Sequence, residues 1–346
     1  VVEKMGFSIR IADSHAQKEW DDYIESSPQG TIFHTWNWLK IMEKHTNSTL
    51  YPLQIFKGST HIANYPIFFK KKGCLKVALS PPYTTEVLYL GPVLSAYESY
   101  KLSKIEENLI GIQSAIDKFL FSDLRCNFVN LRTAPGLIDS RPFRWAGYDI
   151  EPYYTYRIDL SEDIEKIWYG MHKTLRKKIK SERKNGIVIE QGDEDDLWLI
   201  HSETRRRFSE QGKIREDISA YLDEIYQTYH DQFLDILVAK YQGETVSGVI
   251  RLNYNGVTCQ WIGLAKTEVK GISPNDLLGW ESIKIAKERG MRWYEIMDGG
   301  DNPRLRQFKS KFNPELSIWY SAEKYSHPLY RMARTLSRKT GYHVKI

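Results

Sequence analysis

The segment RLRQFKSKFNPEL, residues 304–316, sets Lys309 and Lys311 among the rings of Phe308 and Phe312. The two phenylalanines are four positions apart, the spacing of one helix face, so on a short helix both rings turn inward and can fix a lysine stem beside them. Lys311, two positions from Lys309, points elsewhere. A positioned ammonium suits reactions in which negative charge develops on an oxygen, because an interaction strongest in the transition state lowers the barrier. Two surface lysines around buried phenylalanines are the non-chemical alternative. Just upstream, Asp298-Gly299-Gly300 reads as a bend at the mouth of a strand, giving a substrate room.

A second concentration of chemistry is HKTLRKKIKSERK, residues 172–184, with seven Lys or Arg against the single Glu182. YRMARTLSRK, residues 330–339, is a weaker basic stretch. Such blocks favour polyanions, namely nucleic acid, phosphorylated substrates or acidic lipid surfaces, against the plain alternative of a solvated helix face. The acidic run GDEDD, residues 192–196, opens a predicted helix, where carboxylates complement the dipole and need no metal. Cys74, Cys126 and Cys259 are far apart and odd in number, which indicates neither a disulfide frame nor a metal site. No P-loop, dinucleotide, zinc-protease or nucleophile-elbow motif occurs. No apolar run is long enough to span a bilayer and no secretory signal is visible, so a cytoplasmic protein is expected.

These residues must be positioned by a chain of 346 residues, long enough for two cores. The first half reads as two helices around HAQKEWDDYIES and WNWLKIMEKH. Strands YPLQIFKG, HIANYPIFFKK, KVALS and EVLYLGPVL follow, then a long helix from ESYKLSK to DKFL and the strand CNFVNLR. The second half has helices over 161–184 and 193–230, a hairpin turned at Gln242-Gly243-Glu244, and a second turn at Asn255-Gly256, whose preference for positive φ suits a tight hairpin. A helix follows with Ser273 as cap, Pro274 at its first position and Gly290 at its end. YPLQIFKGSTHIANYPIFF and FLDILVAKYQGETVSGVIRL share a strand, a glycine turn and a strand, which suggests an internal repeat. Residues 144–163 form the crossing between the units, with Ser161 capping the helix after it.

The order over 233–290 is similar to the GNAT acyltransferase fold, in which a glycine-rich loop before a helix N-terminus holds the coenzyme A pyrophosphate. Gln260 to Ala265 fits the Q/R-x-x-G-x-G/A pattern but falls inside a predicted strand, about nine positions early, where N–H groups serve the sheet. The loop EVKGISPN, residues 268–275, has one glycine, and Pro274 lacks an N–H, so this cradle is degraded.

Nearly the whole chain resembles the FemABX group of aminoacyl transferases. The resemblance runs through W-x-x-Y at Trp20–Tyr23, SPQGTIFHTWNW, YLGPVL, YRIDL and the basic segment after it, ETRRRF, LLGWESIKIAKERGMRWYEIMDGG and FKSKF. Acyltransferases of polysaccharide export share the last motif, so it does not fix the donor. The resemblance implies an α/β (α+β) fold of two GNAT-like units, each a mixed, mostly antiparallel sheet flanked by helices. The expected spans are 1–150, 151–325 carrying the catalytic motif, and a C-terminal helix 326–346 with Leu329, Met332, Ala333 and Leu336 on one side, returning to the first unit. A membrane-surface anchor is the alternative for that helix.

The resemblance further implies transfer of an amino acid from aminoacyl-tRNA to an amine of a peptide or cell-envelope precursor, with no resident cofactor or metal. Lys309 and Phe308 map to the catalytic position, and Phe312, Asp298, Arg207, Lys40 and Trp261 to substrate binding. Arg207 is the arginine of T-x-x-R counted from Thr204, its planar fork suited to phosphate or carboxylate. Lys173, Arg176, Lys177, Lys180, Arg183 and Lys184 map to a tRNA-binding helix, where they would neutralise phosphates with release of counterions. The cleft between the units is expected to hold the acceptor. Asn313 stands where the resembling sequences have glycine, which questions the turn after the motif. Two alternatives stay open: an acyl-CoA-dependent N-acyltransferase acting on an amino sugar or polysaccharide precursor, and a non-catalytic RNA-binding protein using residues 172–184.

Overall fold

Alternating apolar residues become strands, and capped amphipathic runs become helices. The computed structural model describes residues 6–94, 99–137, 139–212, 216–263, 272–300 and 302–332. The elements run β1 (Phe7–Ile11), α1 (Gln17–Glu25), α2 (Trp36–Thr46), β2 (Thr49–Lys57), β3 (Thr60–Lys72), β4 (Leu75–Ser80), β5 (Val93–Leu94), α3 (Leu102–Asp117), β6 (Phe128–Arg132), α4 (Arg141–Trp145) and β7 (Asp149–Asp159). They continue with α5 (Ile164–Gly170), α6 (Lys173–Lys184), β8 (Val188–Gln191), α7 (Glu194–Glu210), α8 (Ser219–Tyr229), β9 (Leu234–Tyr241), β10 (Glu244–Tyr254), β11 (Val257–Gly263), α9 (Pro274–Glu288), β12 (Trp293–Ile296), α10 (Pro303–Lys309) and β13 (Glu315–Tyr325). The chain divides into two compact units, one of residues 1–153 with 318–346, the other of residues 154–317.

In the first unit β1, β2, β3 and β4 pair antiparallel in turn, β4 pairs parallel with β6, and β6 pairs antiparallel with β13. In the second, β8, β9, β10 and β11 pair antiparallel in turn, β11 pairs parallel with β12, and β12 pairs antiparallel with β7. The two sheets are the same six-strand pattern. In each, the parallel pair is joined by a long helix, α3 or α9, as a parallel connection requires. The hairpins β2–β3 and β9–β10, alike in sequence, occupy equivalent places. The last strand of each sheet is contributed out of order: β7 follows α4 yet pairs with β12, and β13 follows α10 yet pairs with β6.

Turn chemistry follows residue type. Asn255 and Gly256 both have positive φ, at 47° and 73°, as do Gln242 and Gly243, at 53° and 84°. The acidic run forms a capping box in which Asp193 accepts from Asp196 N and Asp196 from Asp193 N. Other segments depart from expectation. EVLYLGPVL is almost entirely irregular, with only Val93–Leu94 in a strand, because Glu86 and Gly91 at positive φ break the ladder while its apolar side chains still bury. Residues 149–159, expected as a crossing, are an eleven-residue strand. The long helix in the first unit starts at Leu102 and continues as a π-helical stretch over Lys118–Asp123.

Residues 328–332 begin the C-terminal helix, with Arg331 paired to Asp149. Leu329 and Met332 stay exposed, so over this stretch the apolar face is not covered as expected; Ala333 and Leu336 lie outside the described residues. Among the described residues no helix is long and apolar enough to cross a membrane.

The core of the second unit joins α6 (Leu175, Ile179), α9 (Leu277, Trp280, Ile283) and the strand residues Tyr156, Ile158, Tyr294 and Ile296 around Phe312. Helix α9 admits Phe312 only because residue 279 is glycine: a Cβ there would sit 2.7 Å from the tip of the ring. In an open helix Gly→Ala stabilises by about 1 kcal/mol. Overpacking a filled core costs roughly 1–3 kcal/mol. Gly279→Ala is therefore expected to lower stability in urea denaturation, opposite to the sign of helix propensity.

Candidate functional site

The parallel strands β11 and β12 are in register up to Gln260 and Ile296, so Trp261 and Met297 are the next residues on the two chains at their carboxyl ends. Ligands of open α/β sheets bind outside such ends. The register between β10 and β11 shifts by one at Ile250/Arg251, a bulge at Trp261 that twists the strand there. Gln260 to Gly263 are strand residues, so their N–H groups belong to the sheet and not to an anion cradle; Leu264 and Ala265 lie outside the described residues.

Beyond Ile296 the chain turns sharply. Asp298 has φ +65°, its carboxylate accepts from Gly300 N at 2.8 Å, and Gly299 N donates to Tyr154 O at 2.7 Å. A Cβ on Gly299 would lie 2.7 Å from that same oxygen, which explains the glycine. Below the bend, the fully buried Glu295 accepts from Arg157 Nε at 2.8 Å and Thr155 Oγ1 at 3.0 Å, tying β12 to β7. The turn thus holds the carbonyls of Met297 and Asp298 in fixed directions.

Those two carbonyls receive Lys309. Its Nζ donates to Met297 O and, at 2.6 Å, to Asp298 O, and the residue is only 9% exposed. Helix α10 is set by Asn302, whose side chain accepts from Arg304 N and Leu305 N, and by Pro303 at its first position. A 3-10 turn over Ser310–Phe312 extends it, and Asn313 ends it at φ +56°. Asn tolerates this left-handed conformation nearly as glycine does, so the turn survives the replacement of glycine. Phe308 and Phe312 meet edge to face at 5.6 Å, Phe312 fully inside and Phe308 half-buried. An ammonium has three donors, and carbonyl acceptors favour its charged form. Two are used; the third has no partner among the described residues. Burial pushes the Lys309 pKa down from the ordinary 10.5, opposed by the Asp298 carboxylate.

Lys309, Phe308, Phe312 and Asp298 are therefore brought together, Asp298 chiefly through its main chain. Arg207 is buried on α7, one turn beyond Thr204, whose Oγ1 lies 3.4 Å from Gly263 O at the end of β11. Trp261 is buried on β11. Lys40 is in the first unit, exposed on α2 and paired with Glu43.

Of the basic helix, Leu175, Ile179 and Glu182 face inward. Lys173, Lys177, Lys180, Arg183 and Lys184 are exposed and Arg176 half-exposed; Arg183 is paired with Glu281. The others have no acidic partner among the described residues. Two buried acids were not legible as site residues: Glu182 on α6 and Asp276 in the first turn of α9. Burial raises the Asp276 pKa, Lys178 and Lys311 oppose that, and Glu182 adds to it; Lys178 Nζ is 3.6 Å from the carboxylate. The first turn of α9 thus carries a buried carboxylate of the protein's own. Among the described residues no group of three or more His, Cys, Asp or Glu is placed to hold a metal ion.

This geometry defines a class. Residues 170–310 match the family described as acetyltransferase (GNAT) domain, and the second unit is a GNAT-type acyltransferase domain. The whole chain, in turn, has the fold of FemX: it superposes on that crystal structure with a TM-score of 0.70 at 14% identity, over 94% of this chain and 99% of the other. It is similar also to L-PGS from Bacillus licheniformis, with a TM-score of 0.52 at 17% identity over 95% and 97% of the two chains. A tandem GNAT protein from the clavulanic acid biosynthesis pathway gives 0.53 at 10% identity over 92% and 98%. No curated protein matches in sequence. At these identities the likeness is one of fold, a tandem GNAT architecture with the FemABX arrangement.

The lowered Lys309 pKa has consequences of opposite sign. Between that value and 10.5 the unfolded chain binds more protons than the native one, so stability relative to Lys309→Met rises with pH across the window. Over the same window the ammonium is lost, so turnover should fall. Paired urea titrations and pH–rate profiles test both.

Proposed function

We propose that the chain transfers an aminoacyl group from aminoacyl-tRNA to an amine of a peptide or cell-envelope precursor. The observation that carries this is the buried Lys309 ammonium, held by two carbonyls with one N–H left without a partner among the described residues. The acceptor amine attacks the ester carbonyl, a C–N bond forms, and the carbonyl oxygen takes the negative charge. The third N–H of Lys309 stabilises that oxyanion. Collapse breaks the ester C–O bond, and the ribose oxygen leaves with a proton that balances the one lost by the amine to water or to a substrate group. A preorganised donor of this kind is worth roughly 10²–10³ in rate.

The choice of donor is supported by two further features. Lys173, Arg176, Lys177, Lys180 and Lys184 of α6 have no acidic partner among the described residues, so they are available to phosphates, while Arg183 and Lys178 are paired with Glu281 and Asp276. Asp276 is buried in the first turn of α9 with Glu182 buried on α6, carboxylates that suit a coenzyme A pyrophosphate poorly, and Pro274 removes one N–H at that helix start. Acyl-CoA remains the second reading because the matched family is described by acetyl transfer. In both readings the protein works without a resident cofactor.

Mass spectrometry of reactions with charged tRNA pools and candidate amines should show a transferred aminoacyl group, and acetyl-CoA should give none. Lys309→Met should lose about 10²–10³ in turnover while still unfolding cooperatively in urea, at a midpoint lowered by the two carbonyls left unpaired. Unchanged turnover would remove Lys309 from the chemistry. Thermal stabilisation by coenzyme A, rising with its concentration, would favour the second reading.

A further inference from the structure

Tyr169 is a large aromatic residue with no structural occupation. It closes α5 and is 67% exposed, the most open of the exposed large hydrophobic side chains described. The Arg176 guanidinium lies over its ring at 5.4 Å, and the buried Arg176 Nε has no hydrogen-bond partner. Next to it, Trp168 is used differently: it packs on Trp280 at 4.9 Å and Lys180 approaches its ring at 5.9 Å. Burial explains Trp168 and leaves Tyr169 unexplained.

Position gives Tyr169 a role. The following residue, Gly170, would place a Cβ 3.3 Å from Asn313 Nδ2, and His172 N donates to Lys311 O at 2.9 Å. Tyr169 therefore borders the short segment that carries Lys309. On its other side begins α6, where Lys173, Arg176, Lys177, Lys180 and Lys184 recur at helical spacing along one face. An aromatic face at the head of a cationic stripe is the arrangement that binds single-stranded nucleic acid: phosphates run along the charge, and bases stack on the ring and on the guanidinium plane.

We propose that Tyr169, backed by Arg176, is the stacking platform for an unpaired base at the 3′ end of the RNA donor. This rests on aminoacyl-tRNA being the donor. The ester sits on the terminal ribose of an unpaired 3′ end, so nucleotides next to it must lie beside Lys309 when the ester does. Stacking there draws in the end of the strand while α6 holds the phosphates.

Binding of uncharged tRNA, intact or trimmed of its unpaired 3′ nucleotides, is measured by fluorescence anisotropy across a salt series. Tyr169→Ala should weaken binding of intact tRNA roughly 5–150-fold, keep the salt slope, and bind trimmed tRNA as the parent does. Tyr169→Phe should restore the affinity. Paired Lys177→Ala and Lys180→Ala should instead lower the salt slope. Intact tRNA held equally well by Tyr169→Ala, or a loss that persists on trimmed tRNA, overturns the platform while leaving the donor assignment standing. A parent protein that binds no tRNA overturns the donor assignment, and the platform with it.

Discussion

One ammonium and two carbonyl oxygens organise the second unit. For Lys309 to be buried and charged, Met297 and Asp298 must present their oxygens together, which the extended strand before them cannot do. The chain meets this with a positive φ at Asp298, glycines at 299 and 300, and a buried carboxylate, Glu295, that clamps the preceding strand to its neighbour. From the other side, Asn302, Pro303 and Asn313 set the length of the helical segment, and Phe312 presses it onto Gly279. Each of these residue choices is ordinary alone; together they leave the lysine one place to go.

The internal repeat shows what is specific to function. Both sheets follow one strand order, with a parallel pair joined by a helix. In the second unit β12 runs through the Asp298–Gly300 bend into a lysine-bearing helix. In the first, β6 runs on to Thr133, which bonds to Tyr320 of β13, through a turn at Gly136 (φ +103°), and then comes a short helix, RPFRW, without a lysine. The scaffold is shared, and the candidate site sits on a loop and helix end of one copy.

Much of this was legible because it depends on local residue type. Phe308 and Phe312 at helical spacing, Asn255-Gly256, Pro274 after Ser273 and the acidic cap at Asp193 each carry their own geometry. The lysine's burial was implied by its flanking rings, but its carbonyl partners were not, since main-chain acceptors leave no mark in the residue types. The buried pair Glu182 and Asp276 was hidden for a related reason. An acid in the first turn of a helix reads as a dipole complement, and only tertiary packing lays α6 across it. Strand β7 was missed because its burial follows no clean alternation, while EVLYLGPVL was over-read because apolar residues report burial and not pairing.

The out-of-order strands bear on how the protein is made. As the chain leaves the ribosome, residues 1–153 can assemble β1 to β6, but the ladder groups of β6 that will meet β13 stay open until residue 325 has been synthesised. An uncovered strand edge invites pairing with any extended segment nearby. The first half must therefore wait, through the synthesis of the whole second unit, for the piece that completes it.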